Sequence, residues 1–284
     1  MEIDEQKKRV TAYFGESKGW QGDLYSTEET YFSRVIIRRK QYAFDMIRSL
    51  PDLKIGKVLD IGCGSGVYLR EFFAMGFDCY GVDISQEMVD TCKNLLEADK
   101  HPDRVHVSKA EVEHLPFQDG EFDLVICIGV LGYLLRDEKA LVELKRIVKP
   151  GGYLLVNLTN MYSSSDADYV WRKKLKGLLS GKPADNDDLP PYAIPNEWML
   201  RERKFHFKSY NLWMYEPMIE QPNFRKVDAM TYGYEFRLLR RLPFIPESFL
   251  FRLELFLEEL FRRVPIPVLS YSGWVYTGIY KRLS

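Results

Sequence analysis

The segment Val58-Leu59-Asp60-Ile61-Gly62-Cys63-Gly64-Ser65-Gly66 constrains the fold more than any other part of the chain. An apolar run, suited to burial on both faces, leads into a bend with three glycines in five residues, and an amphipathic run follows at 67–75. Glycine lacks Cβ, so such a bend reaches backbone conformations, and a closeness of approach, that other residues forbid. A strand, a tight bend and a helix in that order form the first half of a β-α-β unit. Such a unit needs a parallel strand beside it.

The following sequence supplies those neighbours. Strands are expected at 57–61, 78–82, 105–108, 122–128 and 152–158, with helices at 67–75, 86–99 and 138–148. Strands and helices alternating in this way predict a parallel sheet covered on both faces. Residues 1–50 read as helical and aromatic, ending in a basic amphipathic stretch over 31–50 that Pro51 closes. Beyond Asn160 the rhythm breaks. Residues 161–205 are polar and carry Pro183, Pro190, Pro191 and Pro195, yet Tyr192, Trp198 and Met199 need burial, so the segment reads as an insertion. A helix at 211–220, a strand at 224–231 and a last strand at 273–281 restore the pattern around a second, helical insertion at 240–270. The expectation is one domain over 1–284: an N-terminal helical lid (1–50), core (51–160 and 206–239), the two insertions, and a final strand within 271–284.

Forty basic residues against forty-one acidic ones leave no global field to attract nucleic acid, and no nucleic-acid partner is expected. The four cysteines are widely spaced with no C-x-x-C pair, which argues against a disulfide framework or a zinc site, and no metal is expected. The first ten residues have no apolar h-region, and the longest apolar run, 124–135, is too short to span a bilayer. Cytoplasm is the expected compartment.

A glycine-rich bend after a strand is shared by many nucleotide-binding proteins, including NAD and FAD enzymes. Asp60 narrows the choice. A carboxylate at the end of the strand would repel a pyrophosphate but suits a ligand with an ammonium group; its other reading is a helix N-cap. Seventeen residues after Gly66, Asp83 ends the second strand, where a carboxylate can accept both ribose hydroxyls of an adenosine. Asp83 alone could instead cap the helix that begins near Gln86. The two together favour the ligand reading.

Further segments accompany these: Ala110-Glu111, Leu115-Pro116-Phe117, Phe122-Asp123-Leu124-Val125, the apolar run 126–135, and Lys149-Pro150-Gly151-Gly152. With them, residues 55–160 resemble the class I S-adenosylmethionine-dependent methyltransferases, particularly ubiquinone-type and small-molecule methyltransferases. The resemblance implies an α/β, Rossmann-like, doubly wound seven-stranded sheet in the order 3-2-1-4-5-7-6, its last strand antiparallel, with helical cap insertions. It implies S-adenosylmethionine as methyl donor, S-adenosylhomocysteine as product, and transfer to an undetermined small molecule on O, N or C. Under it, the bend from Asp60 through Gly62, Cys63, Gly64 and Gly66 holds the methionine part, and Asp83 holds the ribose. Ile84 and Met88 flank the adenine, the backbone at Ala110 and Glu111 reads its edge, and the carbonyl of Cys127 or Ile128 helps bind the amino group. One departure stands out. Lys109 occupies the position where many relatives carry an aspartate accepting from the adenine amine, and lysine has no acceptor. A donor-binding protein without catalysis, and an NAD-dependent oxidoreductase, are the alternative functions; the G-x-G-x-G spacing and the Lys-Pro-Gly-Gly segment argue against the second.

The resemblance also points to an N-terminal lid in which Tyr13, Trp20 and Tyr25 cover the donor and Arg38 binds its carboxylate; a solvated helix face is the other reading for the arginines. His206 and Tyr133 are the candidate bases, each with a packing role as the alternative. Helix 247–263 carries an apolar stripe and, with Arg237, Arg240, Arg241, Arg262 and Arg263 nearby, suits peripheral membrane contact or a lipid-like acceptor. Covering the sheet edge or pairing with a second subunit is the simpler reading, with Glu254, Glu258 and Glu259 on its polar face. The 14% aromatic content suggests an aromatic or lipophilic acceptor. The oligomeric state is left open.

Overall fold

The computed structural model describes residues 2–16, 25, 30–54, 56–98, 104–161, 189–190, 192–195, 205–234, 244–263 and 273–284. At its centre, β1 (Lys57–Ile61) pairs in parallel with β2 (Asp78–Asp83) on one side and β4 (Phe122–Cys127) on the other. β3 (Val105–Lys109) extends the sheet beyond β2, and β5 (Val148–Thr159) extends it beyond β4. All these pairs are parallel. β9 (Val275–Arg282) runs antiparallel to β5 and to β8 (Phe224–Tyr232), giving the order β3-β2-β1-β4-β5-β9-β8. This is the expected order, once two short strands that pair apart from the main sheet are counted.

Helices α3 (Val67–Ala74), α4 (Gln86–Ala98) and α5 (Glu138–Ile147) occupy the crossovers, and α6 (Leu212–Glu220) precedes β8. The central strands β1, β4 and β5 are buried on both faces, as a sheet covered on both sides requires: Leu59 and Val125 join one apolar cluster, Val58 and Leu124 the other. Strand order reverses between β1 and β4. In open α/β sheets the crevice outside the strand ends at that point is where ligands bind.

Two helices precede the sheet. α1 (Ile3–Glu16) and α2 (Tyr31–Arg48) lie at the N-terminal end of the chain. α2 opens with a reciprocal cap in which the Ser33 amide donates to Thr30 Oγ1 and the Thr30 amide to Ser33 Oγ, both at 3.0 Å. It ends at Arg48, two residues short of the expected 50: the Leu50 amide turns back three residues to the Ile47 carbonyl at 3.2 Å, and Pro51 has no amide to donate. β5 begins earlier than expected: Val148 already pairs with Phe122, across an irregularity in register.

The short strands β6 (Ala193–Pro195) and β7 (Lys208–Tyr210) were not foreseen. They are pinned by Asp137, whose fully buried carboxylate accepts from the hydroxyls of Tyr192 (2.6 Å), Tyr210 (2.8 Å) and Tyr215 (2.8 Å). Lys208 Nζ, also fully buried, lies 3.2 Å from the same carboxylate, and burial pulls its pKa down. A buried carboxylate needs such partners to stay in the interior. Most of the expected insertion 161–205 lies outside the described residues.

α7 (Glu247–Arg263) departs from its expected orientation. Glu254 and Glu258 do not face solvent: each is 2% exposed and turned toward α2. Their partner is Arg38; of the expected apolar stripe, Leu250 is buried on the same side, while Phe249 and Phe256 are left outside.

Candidate active site

A cavity of about 910 Å³ opens at the carboxyl ends of β1, β2 and β4 and runs under α1 and α2. The glycine bend forms its floor. The amides of Gly62 and Cys63 both donate to the Val82 carbonyl, at 2.8 and 3.0 Å, tying the bend to β2. Gly62, Gly64 and Gly66 have φ of +70°, +52° and +82°, a region that favours glycine. A Cβ on Gly64 would meet nothing within 4 Å, so the bend leaves a cradle there.

Asp60 lines this cavity at 2% exposure, and its Oδ2 has no hydrogen-bond partner among the described residues. Burial, the charge of Asp83 and, in opposition, the guanidinium of Arg39 leave its pKa pushed up to about 8. Asp83 is better supplied, accepting from the Gly64 amide at 3.0 Å and the Ser85 amide at 2.9 Å. Its pKa is also raised by burial, against the pull of those bonds. Ile84, Met88, Ala110 and Glu111 line the same end of the cavity, as do Cys63 and Ile128.

Four expected site residues fall elsewhere. Gly66 is not at the cavity; it lets α3 pack on α4, since a Cβ there would stand 2.7 Å from Cys92 Sγ. Cys127 is fully buried beneath the cavity wall. His206 is buried off the cavity, held through its backbone: its amide donates to Gln6 Oε1 at 2.9 Å, and Gln6 Nε2 donates to its carbonyl at 2.7 Å. Arg38 points away from the cavity, donating through Nη2 to Glu254 at 2.6 Å and through Nη1 to Glu258 at 2.8 Å. The cavity arginine is its neighbour, Arg39. Arg39 is 8% exposed, and its one hydrogen bond to a described residue goes from Nη2 to the Tyr25 hydroxyl at 3.0 Å, with Nε left over. Trp20 lies outside the described residues.

Tyr13, Tyr25 and Tyr133 do line the cavity. Tyr133 packs edge-on against Phe14 (5.1 Å between ring centroids) and close to Phe207 (4.7 Å). Lys7 of α1 bonds to Glu111 at 2.7 Å and pairs with Glu113, which fixes α1 across the Ala110 end. Gln6 fixes it across the other, donating to the Tyr133 carbonyl at 2.7 Å.

Sequence reasoning passed over Lys7, Asn157 and Trp274 and chose Arg38 from the arginines Arg34, Arg38 and Arg39 of the lid helix, whereas Lys7, Arg39, Asn157 and Trp274 line the cavity. For Asn157 there was a signal. It is the one amide in an otherwise apolar run, and its Nδ2 donates to the Tyr276 carbonyl and Thr277 Oγ1, both at 3.0 Å. Arg39 also had one, since Tyr31, Val35 and Arg39 recur every four residues and share a helix face.

Replacing Gly66 with alanine is expected to cost about 1–3 kcal/mol, from overpacking against Cys92 and from the left-handed backbone. Urea unfolding measures this; an unchanged midpoint would show that the α3–α4 contact tolerates the methyl.

The chain matches the methyltransferase domain family over residues 59–156. It is 30% identical over 141 residues to a ubiquinone biosynthesis O-methyltransferase of Dechloromonas aromatica, covering 47% of this chain and 60% of that protein. To norajmaline N-methyltransferase of Rauvolfia serpentina it is 30% identical over 109 residues, 37% of each chain. The chain thus spans less than two thirds of these curated relatives. Among solved structures, the fold is similar to the PH0226 protein from Pyrococcus horikoshii (TM-score 0.55, 17% identity, 95% of this chain and 98% of that one). It is likewise similar to an S-adenosylmethionine-dependent methyltransferase from Mesorhizobium loti (TM-score 0.56, 13% identity, 84% and 97%).

Proposed function

We propose that this chain, a member of the class I S-adenosylmethionine-dependent methyltransferases, moves the methyl group of S-adenosylmethionine to a small-molecule acceptor seated in the aromatic half of the cavity. The observation that carries this reading is Asp60. Its buried, unpartnered carboxylate oxygen beside the open cradle at Gly64 matches the ammonium of an amino-acid head group. An unsatisfied buried acceptor is costly unless a ligand completes it.

The other donor groups find counterparts. Arg39, a buried guanidinium whose Nε has no partner, suits the amino-acid carboxylate. Asp83 keeps lone pairs for the ribose hydroxyls. Ile84 and Met88 offer apolar faces to the adenine. Lys7 occupies Glu111, so the backbone beside Ala110, rather than that carboxylate, is left to read the adenine edge.

The sulfonium supplies an already activated methyl, so the protein needs no side-chain nucleophile. Its work is to hold the acceptor in line and keep water out, which contributes on the order of 7–11 kcal/mol in well-oriented systems. Tyr31, Phe32, Tyr133, Phe207 and Trp274 provide flat apolar walls, and Asn157 and Thr159 a small polar edge. That lining favours an aromatic or lipophilic acceptor with one polar group. Of the two candidate bases only Tyr133 borders this space.

The test is calorimetry with S-adenosylhomocysteine, followed by transfer from labelled donor to a panel of phenols, aromatic amines and aromatic carboxylates. Micromolar binding and a labelled product are expected. Absence of affinity for both donor and product in folded protein would overturn the reading.

A further inference from the structure

Helix α7 buries Leu250, Glu254 and Glu258 and packs Phe251 and Phe261 inward, but turns Phe249 and Phe256 outward. On the inner side Glu254 and Glu258 take both Nη groups of Arg38; Glu258 also accepts from the Tyr42 hydroxyl at 2.5 Å and the Gly233 amide at 2.9 Å. On the outer side Phe249 and Phe256 are 55% and 61% exposed, Leu255 and Leu260 are each 37% exposed, and Phe244, just before the helix, is 75% exposed. Arg252 and Arg263 are exposed on the same face. The exposed acid among the described side chains of α7 is Glu259, and it is paired with Arg263 at 2.6 Å.

A surface helix ordinarily buries its apolar side chains, whereas α7 buries Leu250 and leaves a second apolar face outside. Contiguous large apolar side chains on a surface mark a place where something apolar docks. Charge identifies what. In the sequence on either side, residues 236–246 and 260–272 contain five arginines and neither aspartate nor glutamate. Phenylalanine and leucine beside arginine suit the boundary between acyl chains and anionic headgroups. A second copy of this chain suits it less well, because it would bring like charges together.

We propose that the outer face of α7, with Phe244, docks on the surface of an anionic lipid bilayer. No helix among the described residues is long and apolar enough to cross a membrane, so the contact is peripheral. α2 stands between this face and the cavity. Arg38 and Tyr42 meet α7, whereas Tyr31, Val35 and Arg39 face the cavity. A docked protein therefore holds the aromatic end of the cavity one helix away from the lipid, which suits an acceptor that partitions into membranes. Docking itself is independent of methyl transfer and is measured without donor or acceptor.

The test is flotation of the full chain with phosphatidylcholine vesicles, with and without phosphatidylglycerol. Phosphatidylglycerol is expected to strengthen partitioning about tenfold, and high salt to reverse the gain. Phe249→Glu with Phe256→Glu is expected to weaken partitioning by at least about tenfold, with an unchanged melting temperature because both side chains are exposed. Should that pair fail to fold, Arg252→Glu must still weaken binding to the anionic vesicles alone, about fivefold. Protein that floats with neither composition, or variants that float like the parent, would overturn the proposal. So would light scattering that shows a dimer dissolved by the phenylalanine changes in a protein that ignores vesicles.

Discussion

Asp60→Asn is expected to abolish measurable affinity for S-adenosylhomocysteine, a loss of at least about 100-fold, while raising the melting temperature of the ligand-free protein. The two effects share a cause. Asp60 is buried with one oxygen unpartnered, and its pKa is pushed up to about 8. The folded protein then holds a proton that the unfolded chain has released. Stability is fully present below the ordinary aspartate pKa and is lost as pH rises through the folded value. Between about pH 4 and 8 one such proton gives a slope of roughly −1.4 kcal/mol per pH unit, to which Asp83, also raised, adds in the same sense. Asparagine removes the Asp60 part of the slope. A ligand ammonium reverses the balance by favouring the carboxylate, so binding to the parent protein near pH 7 should release up to about one proton. Calorimetry in two buffers of different ionisation enthalpy reads the proton, and melting curves from pH 5 to 8 read the slope. A variant that keeps its affinity within about threefold, or melts lower than the parent at pH 8, would exclude this role for Asp60.

Arg38→Met and Arg39→Met should separate completely, although the residues are adjacent. Without Arg38, the carboxylates of Glu254 and Glu258, each 2% exposed, are left without their shared cation. Breaking such a pair from one side costs about 3–5 kcal/mol, and the melting temperature should fall by roughly 6–15 °C. Affinity for S-adenosylhomocysteine in the surviving folded protein should stay within about threefold. Arg39 has no carboxylate partner among the described residues, so its loss should leave stability unchanged or slightly higher. It should weaken S-adenosylhomocysteine binding by at least about tenfold and leave methylthioadenosine, which lacks the amino-acid head, nearly unaffected. Equal losses for the two ligands would place Arg39 away from the carboxylate.

The glycine-bend half of the cavity was legible because it is local. Asp60, the glycines and Asp83 sit within one strand-bend-helix-strand unit, and the turn chemistry of that unit puts them at one end of the sheet. Gly66 shows the limit even there: its conformation was readable, but its partner, Cys92, was not. The aromatic half is assembled from α1, α2, β5, the start of β9 and the chain before β7, which are distant in sequence. His206 is diverted from it by Gln6, 200 positions away.

Periodicity therefore assigned the parallel sheet, its glycine bend and two acidic strand ends without reference to anything distant, since each follows from backbone geometry within a few residues. Helical spacing also places Arg38 with Tyr42, and Arg39 with Val35, on two faces of one helix. Which face meets the cavity and which meets Glu254 and Glu258 was settled by packing. A helix can be turned about its axis without altering its internal hydrogen bonds, and the choice among rotations rests on contacts with neighbours far along the chain.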